Sequence, residues 1–277
     1  MPELPEAEIV ARQLRQRIVG ATIKESWLGR NDIVRQGLST LSWYRGARIA
    51  GVERHGKCVA LACERDGDTR YLVAELGMTG LLLFGPLAPR YQKHTHCVLT
   101  LDGGQASDLR YWNPRRFGRL YLLDKPGLEQ FVVRRFGCNP LTVSWKDFRS
   151  LITMRRGRLK PLLMHQQVIA GIGNIYANEI LFRARLHPAR LAGHVNEPAL
   201  RRLYRVMQQV LSQAIKDGGS SVRDFFAPDG SEGRFKKRHL VYGREGRRCP
   251  SGCGGIIRRL LGADQRSSFY CPVCQKK

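Results

Sequence analysis

The chain has 277 residues, with 47 Lys and Arg against 23 Asp and Glu and a formal net charge of +24. That length accommodates two domains and a small appendix, and so large a positive excess implies a polyanionic partner, nucleic acid ahead of a membrane surface. The sequence holds no long apolar run or lipidation signal, and its acidic start lacks the basic-then-apolar pattern of a secretory leader, so the expected setting is the cytoplasm with no membrane attachment.

Pro5 suits the first turn of a helix, Glu3 and Glu6 complement its dipole, and Ile9, Val10, Leu14 and Ile18 mark one apolar face. From there to about residue 135 the pattern is strand-like. Short apolar runs begin at Val59, Tyr71, Leu81, Cys97 and Gly118, separated by Asp-Gly, Gly-Gly and Pro turns, which suggests a β-sandwich. Phe136-Gly-Cys-Asn-Pro140 reads as a linker. Residues 143–217 turn to helical periodicity, with Leu203, Val206, Met207, Val210 and Leu211 on one face. Residues 218–244 read as a long loop, and 245–277 as a separate small unit. Cys58, Cys63, Cys97 and Cys138 are scattered and read as core thiols in a reducing compartment.

Six stretches are candidates for chemistry. If Met1 is removed, Pro2 presents a secondary α-amine, which titrates near pH ~7.7–8 and is partly neutral in the cell. Such an amine can attack a sugar C1′, expel the base and leave an iminium, with Glu3 and Glu6 at hand for proton transfer and orientation. Helix initiation alone is the plain alternative. Met78 in Gly77-Met-Thr-Gly80, and Arg115 and Phe117 in Asn113-Pro-Arg-Arg-Phe-Gly118, sit on tight polar turns where core packing explains an apolar residue poorly. Side chains of this kind can fill a base stack from which a nucleotide has been extruded, and an arginine can bond the orphaned partner base. For Phe117 a place in the core of the next strand is the alternative. In Lys93-His-Thr-His96 a metal pair is conceivable but lacks a third ligand. Gly171-Ile-Gly-Asn174 lacks the remaining marks of a dinucleotide fingerprint and reads instead as a tight turn opening a phosphate-holding helix. Cys249, Cys253, Cys271 and Cys274 form two close pairs seventeen residues apart, the spacing of a closed, structural four-thiolate zinc site with Arg258, Arg259 and Arg266 between the pairs on a β-hairpin.

Taken together, Pro2-Glu-Leu-Pro-Glu6 and these later motifs resemble the formamidopyrimidine-DNA glycosylases, bacterial enzymes that excise oxidised purines. The resemblance implies an α+β, multi-domain fold. Residues 1–135 would be an N-terminal antiparallel β-sandwich with an N-terminal helix. Residues 136–244 would be a helical, helix–two-turn–helix domain with a lesion-reading lid at 218–244, and 245–277 a zinc β-hairpin. A damaged duplex would lie in a basic cleft of a monomeric, nucleoid-associated cytoplasmic enzyme holding one structural zinc ion. The implied function is removal of 8-oxoguanine and formamidopyrimidines through a Pro2 Schiff base, followed by strand nicking. Glu3 would shuttle protons, Glu6 would buttress the terminus, and Lys57 would contact the phosphate beside the lesion and assist the sugar chemistry. His96, Asn174, Tyr242 and Arg266 would hold phosphates, Arg223 would lie near the substrate, and Met78, Arg115 and Phe117 would fill the void. A backbone carbonyl within 219–225 would sense the N7 proton that 8-oxoguanine carries and guanine lacks. Leu4 and the full-length lid favour the purine branch over the related endonuclease VIII branch for oxidised pyrimidines. A catalytically silent zinc-containing DNA-binding protein is the farther alternative. Two departures stand out: His165, where an acid is expected, and the Cys-x₃-Cys spacing of the first thiol pair.

Overall fold

A computed structural model describes residues 2–85, 91–221, 225–262 and 265–277. Its contacts divide the chain into two units, Met1–Arg134 with Asp217–Arg234, and Arg135–Lys216 with Phe235–Lys277.

In the first unit, helix α1 (Leu4–Ile18) starts on a capping box: the Glu3 side chain accepts from the Glu6 backbone, and the Glu6 side chain accepts from the Glu3 backbone. Pro5 lies in the first turn, where no helical N–H is lost. Strands β1 (Thr22–Leu28), β2 (Val34–Gln36), β3 (Arg48–His55), β4 (Cys58–Arg65), β5 (Asp68–Glu75), β6 (Leu81–Leu83), β7 (Thr95–Asp102), β8 (Asp108–Trp112) and β9 (Leu120–Asp124) precede helix α2 (Lys125–Arg135). They make one nine-stranded sheet in the order β2-β9-β5-β4-β3-β1-β7-β8-β6. The seam between β3 and β1 is a single pair, Thr22 with Arg48. Either side of it, Leu61 and Leu72 from one half and Ile23, Leu99 and Tyr111 from the other join one buried cluster with Val10, Leu14 and Ile18 of α1. The expected sandwich is therefore one sheet folded on itself, antiparallel except for the parallel β2–β9 pair. Asp66 and Gly67, at φ 51° and 79°, make the tight β4–β5 turn that an Asp-Gly pair favours.

Segment 217–234, expected with the lid in the second domain, makes its contacts with the first unit. Ser220 bridges Arg234, the Arg234 amide donates to Asp217 O at 2.8 Å, and Phe225 enters the sandwich core.

The second unit contains α3 (Trp145–Thr153), α4 (Leu159–Met164), α5 (Asn174–Arg183), α6 (Glu197–Lys216) and the hairpin of β10 (Arg258–Leu261) with β11 (Ser267–Tyr270). Ser144 caps α3 by accepting the Asp147 amide at 3.1 Å. Of the periodic face read from the sequence, helix α6 buries Leu203, Met207, Val210 and Leu211 and leaves Val206 half-buried. The segment 136–140 is an ordered part of this unit. Cys138 pairs with Ile169, and a side chain on Gly137 would meet the carbonyl of Val168 at 2.4 Å. None of the described helices is long and apolar enough to cross a membrane.

Candidate active site and nucleic-acid interface

The N-terminus of α1 is a buried acidic centre. Glu3 and Glu6 are each 1% exposed. Glu6 Oε2 accepts the Glu3 amide at 2.8 Å, and Glu6 Oε1 accepts the Ser220 amide at 2.7 Å. Gly219, at φ +81°, lies so close that a Cβ there would meet Glu6 Oε1 at 2.9 Å. Glu6 thus joins the backbone beside Pro2 to the base of segment 217–234. Lys57 is half-buried in the two-residue β3–β4 turn, preceded by Gly56 at φ +57°. That turn is fixed to α1 by Arg54, which donates to Glu8 at 2.9 Å and to Gly56 O at 3.0 Å. Burial alone would raise the Glu8 pKa, but hydrogen bonds from Arg12 and Arg54 outweigh it and hold the carboxyl below its ordinary value.

Met78, Arg115 and Phe117 lie on two loops that meet. Met78 is 40% exposed and Phe117 55% exposed, and the Arg115 guanidinium sits 4.9 Å from the centre of the Phe117 ring. Backbone proximity enforces the pairing. Gly77 approaches the Gly118 nitrogen so closely that a Cβ would come within 2.5 Å, and a Cβ on Gly118 would strike Glu75 O at 2.1 Å. Beneath the loops, buried Asn113 donates to Tyr111 Oη at 3.0 Å and Gly118 O at 3.2 Å, while its own carbonyl bonds His96 Nε2 at 3.0 Å. His96 is 7% exposed, and burial lowers its pKa. This geometry makes it a brace for the Asn113 loop, whereas His94 is half-exposed with φ 126°.

In the second unit, the turn before α5 is built on Gln166. Its amide donates to Met164 O and Ile172 O at 2.8 and 2.9 Å and accepts the Gly171 amide at 2.8 Å. Gly171, at φ +93°, takes a conformation that side-chain-bearing residues rarely adopt. Asn174 is the first residue of α5, at the positive end of the helix dipole. His165 is the C-cap of α4, and its amide and carbonyl close the turn through Leu162 O and the Val168 and Ile169 amides.

Three residues that sequence reading passed over position the others. Fully buried Glu179 accepts the amides of Leu240, Val241 and Tyr242 at 2.9–3.0 Å and is bridged by Arg183. Asn178 accepts the Phe269 amide at 2.6 Å and donates to Asn174 O at 2.6 Å. Buried Lys160 donates to Ser267 O at 2.7 Å and Ser268 Oγ at 2.9 Å, directly after Arg266. A buried charge within a helical pattern (Lys160 in Leu-Lys-Pro, Glu179 in Asn-Glu-Ile) was the available signal, because such groups are retained only when partnered. Arg223 lies outside the described residues.

The thiols of Cys249, Cys253, Cys271 and Cys274 all lie within 4.8 Å of one another, and so could hold a metal ion. Cys249 and Cys274 are 3.8 Å apart, Cys253 and Cys271 3.5 Å. A tetrahedron with metal–sulfur bonds of ~2.3 Å has edges of ~3.8 Å, so the spacing fits four-thiolate coordination. The longer first pair is accommodated at Gly252, which takes φ +71° between its cysteines. Gly255 is needed for space, since a Cβ there would meet Cys271 Sγ at 2.7 Å. A backbone hydrogen bond at Gly255 holds the Cys253 thiol down at about 7, while burial pushes Cys271 up to about 12.

Residues 1–120 match the family model for the formamidopyrimidine-DNA glycosylase N-terminal domain, and 137–226 that for the formamidopyrimidine-DNA glycosylase H2TH domain. A formamidopyrimidine-DNA glycosylase from Solibacter usitatus is 40% identical over the whole of both chains. The crystal structure of the MutM (Fpg) protein from Thermus thermophilus covers 100% of this chain and 99% of its own, with TM-score 0.86 at 39% identity. A Lactococcus lactis Fpg variant in complex with Fapy-dG-containing DNA aligns over 100% of both chains, with TM-score 0.88 at 32% identity.

Proposed function

The chain belongs to the formamidopyrimidine-DNA glycosylase family, and from that premise we propose that it excises oxidised purines from duplex DNA and then nicks the strand. The observation that carries this reading is the buried Glu3–Glu6 pair at the start of α1, tied through Glu6 to Ser220. Two carboxyls kept out of water beside a terminal amine have a plain use in proton transfer, and a helix start alone needs neither to be buried.

In the proposed reaction Met1 is removed and the Pro2 nitrogen lone pair attacks C1′. The C1′–base bond breaks, and its electrons leave with the base, which takes up the proton that the Pro2 nitrogen sheds after the attack. Glu3 protonates the sugar ring oxygen, which opens the ring and leaves an iminium between Pro2 and C1′. Loss of a C2′ proton then expels the 3′ phosphate, and a second elimination expels the 5′ phosphate. Glu6 fixes the backbone of Glu3, and Lys57 serves the phosphate beside the lesion. Met78, Arg115 and Phe117 occupy the space that the extruded nucleotide leaves, which their shared, exposed position supports. Asn174, Tyr242 and Arg266 hold the strand, with Arg223 near the damaged base, while His96 acts indirectly by bracing the Asn113 loop. Zinc is the metal best suited to the four thiolates, in a closed structural site. The enzyme acts as a monomer on chromosomal DNA in the bacterial cytoplasm.

Borohydride reduction in the presence of a duplex with one 8-oxoguanine tests the reading. A covalent protein–DNA adduct mapped to Pro2 is expected. An adduct on Lys57, or none on material lacking Met1, would exclude Pro2 as nucleophile. Preferential trapping on thymine glycol would move the enzyme to the pyrimidine-lesion branch.

A further inference from the structure

At the edge of the buried stripe of α6, half-buried Val206 and buried Val210, with half-buried Leu240, floor an open pocket of about 720 Å³ in the second unit, bordered by Arg183, Lys237, Arg238, Gln209 and Gln213. Among the described residues, no acidic side chain lines it. Arg183 is held in one orientation, bridged to Glu179 and donating to Arg238 O at 2.8 Å. Phe235, only 1% exposed, anchors the Phe235–Arg238 turn that carries the other two cations outward.

We propose that this pocket docks an acidic peptide segment of a partner protein, one with a large apolar side chain set among carboxylates. The depression is open to solvent, so an extended segment can lie across it and direct one large side chain onto its floor. Lys237 and Arg238 supply complementary charge at the rim, beside the neutral Gln209 and Gln213, and the apolar floor supplies what a purely electrostatic surface would lack. A duplex is the poorer occupant. Its phosphates form a stiff convex rail with no apolar group to enter a concavity. The pocket also sits at the wrong end of α5 to extend the phosphate turn, because Arg183 ends the helix that Asn174 begins, ~13 Å away at 1.5 Å per residue.

The test uses full-length, metal-loaded protein and a fluorescein-labelled short peptide of Asp and Glu with one central Phe. Saturable binding in ~0.15 M salt is expected, weakened when Ala replaces the Phe. Lys237→Glu and Val206→Glu should each weaken it by about tenfold, equivalent to ~1.4 kcal/mol, with strand nicking and thermal midpoint unchanged. Lys237 is exposed, so its variant remains informative should Val206→Glu fail to fold. The proposal is overturned if binding does not saturate, or if Lys237→Glu binds the peptide as the parent does. It is also overturned if duplex DNA displaces the peptide and Lys237→Glu loses nicking, which would assign the surface to nucleic acid.

Discussion

Glu6 and Ser220 are 214 positions apart in the chain, yet the carboxylate of the first accepts the amide of the second at 2.7 Å. The other oxygen of the same carboxylate accepts the Glu3 amide at 2.8 Å. A carboxamide can accept only one of these two bonds and would turn its own N–H₂ toward the other donor. Leaving one buried N–H unsatisfied costs about 1–3 kcal/mol. In Glu6→Gln, excision of 8-oxoguanine should therefore slow by about ten- to a hundredfold, while duplex affinity changes little. Single-turnover nicking together with a binding titration checks this. Parental excision by the variant would show that Glu6 positions nothing.

Glu179 makes a related prediction in the second unit. Its carboxylate gathers three successive amides, ending at Tyr242, and pairs with Arg183. Removing one member of a buried charged pair costs about 3–5 kcal/mol. Glu179→Gln should lower the thermal midpoint and weaken duplex binding, because the backbone that presents Tyr242 loses its anchor. Tyr242→Phe supplies the comparison: it should weaken binding without the thermal shift. A Glu179→Gln protein with parental stability would contradict the anchor role.

Much of this was legible in the sequence, for reasons that differ by residue. The α1 face and the α6 stripe follow from a period of 3.6, and the Cys-x₃-Cys and Cys-x₂-Cys pairs from ligand chemistry. Strands β4, β5, β6, β7 and β9 announce themselves as apolar runs. β3 and β8 do not, because Arg48-Ile-Ala-Gly-Val-Glu-Arg-His55 and Asp108-Leu-Arg-Tyr-Trp112 mix charge into half-buried positions. Long-range partners were not readable at all. Nothing local pairs Glu6 with Ser220, Lys160 with Ser267, or Asn178 with Phe269. Likewise, the brace from His96 to Asn113 depends on a turn whose geometry is set by the glycines of another loop.

The thiol cluster predicts one bound metal per chain. A hairpin as small as β10–β11, with Leu260 and Leu261 exposed, has too little core to order itself, so metal binding would supply folding energy. Elemental analysis of protein purified without added metal should find one zinc. Chelation should disorder the segment that carries Arg266 and abolish duplex binding, and the near-ultraviolet signal of Tyr270 should change with it. Cys271→Ser should reproduce the chelated state. Stable binding of a damaged duplex by fully metal-free protein would disprove a structural role.

Glu8 links the fold to pH. Its carboxyl, 13% exposed, bonds Arg54, itself 6% exposed, at 2.9 Å. Burial works against ionisation, but the hydrogen bonds from Arg12 and Arg54 leave the folded pKa below the ordinary 4.5. The unfolded chain therefore binds the proton more readily than the folded one, and stability rises with pH in that window. The contribution is complete above pH 4.5 and is lost as pH falls below it toward the folded value. Glu8→Gln removes the dependence and takes the carboxylate partner from Arg54, at a cost of about 3 kcal/mol at neutral pH. Because Arg54 also holds Gly56 O, the turn bearing Lys57 should loosen. Urea midpoints from pH 3 to pH 7 should converge for parent and variant at the acid end and diverge toward neutrality. Parallel curves would mean that Glu8 ionisation contributes nothing to the fold.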